Sequence, residues 1–146
     1  MRHFRYKTLE ELRRSAEELG ASHVRFEPDP ERVKSILARP VRAGAFTLGN
    51  SMAIQPMEGC DGTLDGRPDE LTFRRYRRFG AGGAKLVWFE ATAVCPEGRA
   101  NTRQLWLHPE NVGEFARLLE VLRGAHRELH GTADDLLEPL QLTHSG

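Results

Sequence analysis

Cysteine is scarce in this chain of 146 residues: Cys60 and Cys95 are the two, and they form no CxxC pair. Neither a disulfide framework nor a structural zinc site is indicated by so sparse a pattern. An excess of one charge is missing as well. Lys plus Arg and Asp plus Glu both number 21, so the formal net charge is zero. That argues against a general polyanion binder and against a basic membrane-surface protein, which rely on a one-sided field. No apolar run approaches the roughly 18 residues that a membrane-spanning helix needs. The opening MRHFRYKTLEEL lacks the apolar centre of a secretory leader. Repeats and low-complexity tracts are absent. The expected address is cytoplasmic, with reduced thiols, and neither nucleic acid nor a membrane is expected as a partner.

Charged residues make up 29% of the chain and the mean hydropathy is −0.52. The length is sufficient for one domain with a real core. TLEELRRSAEELG reads as a helix opened by a capping box, Thr8 to Glu11, and stopped by Gly20. DPERVKSILA reads as a second helix, with Asp29 as its N-cap and Pro30 at its first position. Residues 1–37 therefore form a helical N-terminal extension to a domain over 38–146.

In that domain VRAGAFTLGN reads as a hairpin around Gly44, followed by a short strand over 51–55. A helix over 69–79 is expected to turn Leu71, Thr72, Tyr76 and Phe79 inward and its arginines outward, with Gly80 as its cap. KLVWFE (85–90) has the nearly continuous apolar character of a buried parallel strand. A polar loop over 91–108 leads to the longest helix, with Val112, Phe115, Leu118, Leu119, Leu122 and Leu129 at period 3.6. The last strand is 140–142. Strands separated by single helices run parallel with right-handed crossovers, so the fold class is α/β with three core strands. Ile54, Val87, Phe89 and Leu140 or Leu142 are expected on the inner face of that sheet.

The loops after the three strands, PMEGCDGT, ATAVCPEGR and THSG, share one rim. Parallel α/β sheets bind ligands at the carboxyl ends of their strands. The chain closes on LQLTHSG, a core strand and the start of a rim loop, where termini are more often exposed and frayed.

These residues resemble the old yellow enzyme family of FMN-dependent oxidoreductases, from about Ala38 to Gly146. IQPMEGCDG is similar to the family's first-strand motif, and FEATAVCPEGRA to its second. RRYRRFGAGGAKLVWFEAT resembles the helix leading into that second strand. LQLTHSG resembles the third-strand motif Q-L-x-H-x-G, and VRAGAFTLGN the hairpin that plugs the barrel bottom. The resemblance implies the N-terminal portion, about three βα units, of a (β/α)8 TIM barrel. A full barrel takes about 250 residues, so the chain is expected to be truncated after strand three.

Several roles follow from the resemblance. The cofactor is FMN, with NAD(P)H as reductant, and the activity is hydride transfer from flavin to an electron-poor alkene or a related small-molecule substrate. Pro56, Met57 and Glu58 lie along the flavin, the backbone at Ala91 approaches its ring, and Gln141 contacts its pyrimidine edge. That edge mixes acceptors with one N–H donor, which a single carboxamide can serve. Glu58 stands where the family commonly has Thr or Cys, and Ser51 where it has Arg. A carboxylate beside the ring would oppose the charge of reduced flavin; the alternatives are a Glu58 turned outward or kept neutral by burial. The family's substrate-gripping pair, tyrosine donor and phosphate loops are expected beyond residue 146, so no catalytic residue and no metal ligand is assigned here. The chain alone is expected to be inactive, with open strand edges that favour a homo-oligomer. The alternative function is a non-catalytic α/β interaction or folding module.

Other signals have plainer readings. RRYRR (74–78) reads as a solvated helix face, and GAGGAK (80–85) as a cap and turn without the phosphate-loop spacing. His126 and His130, at i and i+4, read as surface histidines because no third metal ligand is evident. Cys60 and Cys95 read as bystanders in rim loops.

Overall fold

The computed structural model describes residues 6–145. Met1–Arg5, where the leader comparison begins, and Gly146, the last residue of LQLTHSG, lie outside the described residues. The chain divides into two compact units, Met1–Leu37 and Ala38–Gly146.

The first unit holds α1 (Leu9–Glu18) and α2 (Pro30–Leu37). Half of the expected capping box is present: the Thr8 hydroxyl accepts the Glu11 N–H at 3.2 Å. The Glu11 carboxylate reaches one residue further back, to the N–H of Lys7 at 2.8 Å. Asp29 caps α2 by accepting the Glu31 N–H at 3.0 Å, which satisfies a donor that the helix start cannot.

The second unit opens with an antiparallel hairpin, β1 (Val41–Ala43) and β2 (Phe46–Leu48). Gly44 turns it at φ 63°, the left-handed backbone that two-residue hairpin loops require. Asn50 then ties the hairpin's exit to the sheet. Its oxygen accepts the N–H groups of Met52 and Lys85, and its amide donates to the Gly83 carbonyl at 2.8 Å.

β3 (Ala53–Ile54) pairs in parallel with β4 (Leu86–Val87), and β5 (Phe89–Ala93) pairs in parallel with β6 (Leu140–Thr143). The expected single strand 85–90 is thus two pieces, and it runs three residues further than expected. The register shifts between Phe89 and Thr92 by one extra residue on β5. Such a bulge puts two neighbouring residues on one side of a strand. Phe89 and Glu90 accordingly both meet Tyr76, Phe89 through ring centroids 4.5 Å apart and the Glu90 carboxylate by accepting from the tyrosine hydroxyl at 3.4 Å.

α3 (Glu70–Ala81) and α4 (Val112–His130) pack their buried side chains on one face of these strands. The core is Tyr76, Val87, Phe89, Leu118, Leu122 and Leu136, with Ile54 and Leu140 packed against it. Val87, Phe89, Ile54 and Leu140 therefore face the helices. This reverses the inner-face expectation, because Trp88, between two core residues and 41% exposed, takes the opposite side. Leu142 is exposed.

Gly80 is not a cap. It is buried inside α3, where an added methyl would lie 2.2 Å from the Leu122 carbonyl oxygen of α4. The glycine lets two helix backbones approach, and Gly82 caps α3 instead. Leu71, Val112 and Leu129, expected inward, are exposed, and each sits within the first or last turn of its helix. No helix among the described residues is long and apolar enough to cross a membrane.

Candidate functional site

The strand-one loop begins with a tight turn. The Met57 N–H reaches back to the Gln55 carbonyl at 2.8 Å, closing a three-residue turn around Pro56. Pro56 suits it, since the ring fixes φ and the central residue needs no donor. The turn leaves the Met57 side chain 76% exposed. It brings Glu58 back toward the loop that follows β5.

There the Glu58 carboxylate accepts two carboxamides, Asn101 Nδ2 at 3.1 Å and Gln104 Nε2 at 3.2 Å. These bonds hold the half-buried Glu58 side chain against the loop over 101–104. Gln104 is fully buried. Its Nε2 also lies 3.0 Å from the Ala91 carbonyl and 3.3 Å from the Thr143 hydroxyl oxygen. Glu58 follows β3, Ala91 lies within β5 and Thr143 ends β6, and one side chain gathers all three.

Ala91 is buried within β5 rather than in a loop after the strand. Gln141, on β6, is half-buried, and its carboxamide has no hydrogen-bond partner among the described residues. Pro56 and Met57 lie at the same strand end but outside the Gln104 network. Cys60 stands at a left-handed φ of 49° with its thiol 3.3 Å from Asn101 Nδ2. No group of three metal-binding side chains occurs among the described residues.

A second network lies beneath the first. The Arg75 guanidinium bridges Glu90 Oε1 at 2.6 Å and Asp61 Oδ1 at 2.8 Å. Arg75 is therefore turned inward, unlike the solvated face expected of RRYRR. Glu90 Oε2 accepts the Gly59 N–H at 2.9 Å, and the Thr72 hydroxyl donates to Asp61 Oδ1 at 2.8 Å. These bonds fasten both ends of the loop 59–61 to α3 and β5. A side chain at Gly59 would meet the Arg75 guanidinium at 2.2 Å.

Burial dominates at Glu90 and pushes its carboxyl up, against the Gly59 N–H and Arg75. Burial also acts to raise Asp61, but the bonds from Arg75 and Thr72 outweigh it and hold that carboxyl down. The Tyr76 hydroxyl, buried beside Glu90, is pushed well above the ordinary phenol range.

Sequence reasoning missed Gln104, Asn101, Thr143, Glu90 and Arg75. Two signals were present. A glutamate at the end of an apolar strand requires a buried donor, and arginine one turn into the preceding helix supplies it. Leu105-Trp106-Leu107 is a short apolar run of the kind strands carry, and this stretch does run beside β5: the Ala93 N–H donates to the Leu105 carbonyl and the Leu107 N–H to the Ala93 carbonyl.

No protein-family model matches the chain. Solved structures do. The old yellow enzyme homologue from Zymomonas mobilis aligns with 26% identity and a TM-score of 0.60, over 74% of this chain and 28% of its own. The old yellow enzyme from Trypanosoma cruzi aligns with 25% identity and a TM-score of 0.60, over 76% of this chain and 27% of its own. Morphinone reductase, at 22% identity and a TM-score of 0.60, shares the fold over 75% of this chain and 26% of its own. The chain thus spans little more than a quarter of each of these three proteins. With parallel strands whose ends converge on one rim, it resembles a part of an old yellow enzyme.

Proposed function

We propose that residues 38–146 are the first three βα units of a (β/α)8 barrel and carry the flavin-facing rim of an FMN-dependent NAD(P)H oxidoreductase. The reading places the protein in the cytoplasm, acting on a small electron-poor alkene or related substrate. The observation that carries it is the gathering of Glu58, Ala91 and Thr143, from three parallel strands, on one rim, where the half-buried Gln141 carboxamide of the third strand has no hydrogen-bond partner among the described residues.

The residues fit the group. Gln141 offers a donor and an acceptor to the pyrimidine edge of a flavin. Pro56 and the exposed Met57 offer a turn and an apolar surface. Ala91 presents no side chain beyond a methyl, and Glu58 adds a carboxylate. FMN, when bound, supplies the ring that accepts hydride from the nicotinamide and passes it on. The chain's own work is to bind that ring, orient it and exclude water from one side. Phosphate binding is expected elsewhere, since barrels usually build that site after strands seven and eight.

Gln141→Leu is expected to weaken FMN retention by about 1–3 kcal/mol, the cost of a buried polar edge left unpaired. FMN content after gel filtration of the flavin-bearing protein and its variant reads the effect. Equal retention and equal midpoint potential would remove Gln141 from the site.

A non-catalytic module is the second reading, favoured by the sheet edges. β3 and β6 each pair on one side only among the described residues, and open edges are templates for another chain.

A further inference from the structure

Glutamine is an uncommon choice for a fully buried position, because its amide costs free energy unless every polar atom is met. Gln104 meets them all. Its Oε1 accepts the Ala100 N–H at 2.6 Å. A backbone N–H can only donate, so the oxygen must face Ala100 and Nε2 must face the rim. Nε2 carries two hydrogens and has three acceptors in reach: Ala91 O, Glu58 Oε1 and Thr143 Oγ1. At least one hydrogen is shared, and none is left over.

Asn101 is locked in the same way. Its Oδ1 accepts the Arg103 N–H at 2.9 Å, which turns Nδ2 toward Glu58. Each Glu58 oxygen therefore receives one N–H from a carboxamide whose orientation is set by the backbone. Glu58 forms no ion pair among the described residues. The nearby cations are engaged elsewhere: Arg99 on the carbonyls of Leu64 and Thr102, Arg103 on Asp69. The carboxyl group is thus held by neutral donors only.

We infer that Gln104 is a positioning residue of the rim, fixing Glu58, the Ala91 carbonyl and the Thr143 hydroxyl in one arrangement. Its bearing on flavin rests on the function proposed above; the arrangement itself does not. Without Gln104, the Glu58 side chain keeps a single donor and can rotate, and the third-strand loop loses its tie to the first. With it, the Glu58 side chain is held in one place on the rim. A carboxylate beside a flavin ring opposes the negative charge gained on reduction.

Amide hydrogen exchange on the 146-residue chain tests the arrangement without any flavin. Gln104→Met keeps the side-chain length and removes both polar atoms. Exchange in segments 56–61, 99–102 and 143–145 is expected to quicken at least tenfold, while α3 and α4 keep their protection. Glu58→Gln retains an acceptor and should leave those segments near the parent rate. If Gln104→Met does not fold, Glu58→Leu breaks the same contact from its less buried side and should loosen 56–61 and 99–102 alone. Unchanged exchange, or an equal rise throughout the chain, would show an ordinary core residue and overturn the inference.

The flavin-bearing protein supplies the second readout. Gln104→Met and Glu58→Gln should each raise the midpoint potential, and the double variant should rise no further than the larger single effect. A potential moved by Glu58→Gln but not by Gln104→Met would overturn the positioning role. A quickened rim in a protein that binds no flavin would overturn the proposed function and leave the role of Gln104 standing.

Discussion

Arg75→Met is expected to destabilise the Ala38–Gly146 unit by about 3–5 kcal/mol, the cost of removing one partner from a buried charge pair. Glu90 is 1% exposed and Asp61 is largely covered, and Arg75 is the cation that bridges them. Methionine fills much of the arginine stem but offers no charge, so the buried Glu90 and the half-buried Asp61 lose the cation they share. Glu90, already pushed up by burial, then protonates more readily still.

The sign of the pH dependence follows. A carboxyl with a raised folded-state pKa penalises the fold as pH rises past the ordinary carboxylate range and through that raised value. The deficit of the variant should therefore be larger at pH 8 than at pH 5. Urea denaturation at both pH values measures it. Adding Glu90→Gln to Arg75→Met should recover a good part of the loss, because an amide does not need the cation. A variant within 1 kcal/mol of the parent at pH 8 would mean that water already serves these carboxylates.

Lys85→Met is expected to cost about 3 kcal/mol, the low end of the same range because Asp135 is a third exposed. Lys85 Nζ lies 2.6 Å from Asp135 Oδ1 and 2.9 Å from His126 Nε2. An ammonium only donates, so Nε2 must be the bare nitrogen and Nδ1–H must donate to the Gly80 carbonyl at 2.9 Å. His126 is therefore a neutral, fully buried core residue, correcting its reading as a surface histidine. Burial above all holds its pKa below the usual value, with the Gly80 carbonyl and Asp135 opposing and Lys85 and His130 adding to the depression.

A histidine with a depressed folded-state pKa contributes stability that is present above its unfolded value, about 6.5, and lost as pH falls below it. The parent should weaken on acidification through that window. In Lys85→Met one repelling charge is gone, so the acid-induced loss should be shallower even though the neutral-pH stability is lower. Parallel urea titrations at pH 7.5 and 5.5 show both effects. A variant whose acid loss is as steep as the parent's would detach His126 from Lys85.

The sequence carried the order of elements because apolar period and helix caps are local. Asp69 and Thr72 form a reciprocal cap at the start of α3, and Leu118 and Leu122 sit on the buried face of α4. Features set by contact between distant segments were not legible. Gly80 looks like a stop signal until Leu122, forty-two positions on, is brought against it. The bulge after Phe89 reverses the parity of β5, and no residue there announces it. Of the rim residues, Pro56 to Glu58, Ala91 and Gln141 were named through family resemblance. Gln104 went unnamed because one polar residue in a polar loop shows nothing until Glu58, Ala91 and Thr143 surround it.

The most direct measurement is the flavin content of the native polypeptide that contains this sequence, captured from its own cells by an antibody to the 97–104 loop. The account predicts one non-covalent FMN per polypeptide, released on denaturation. A native polypeptide that folds, carries no flavin and takes up none when FMN is added would contradict it and leave the non-catalytic module as the remaining reading.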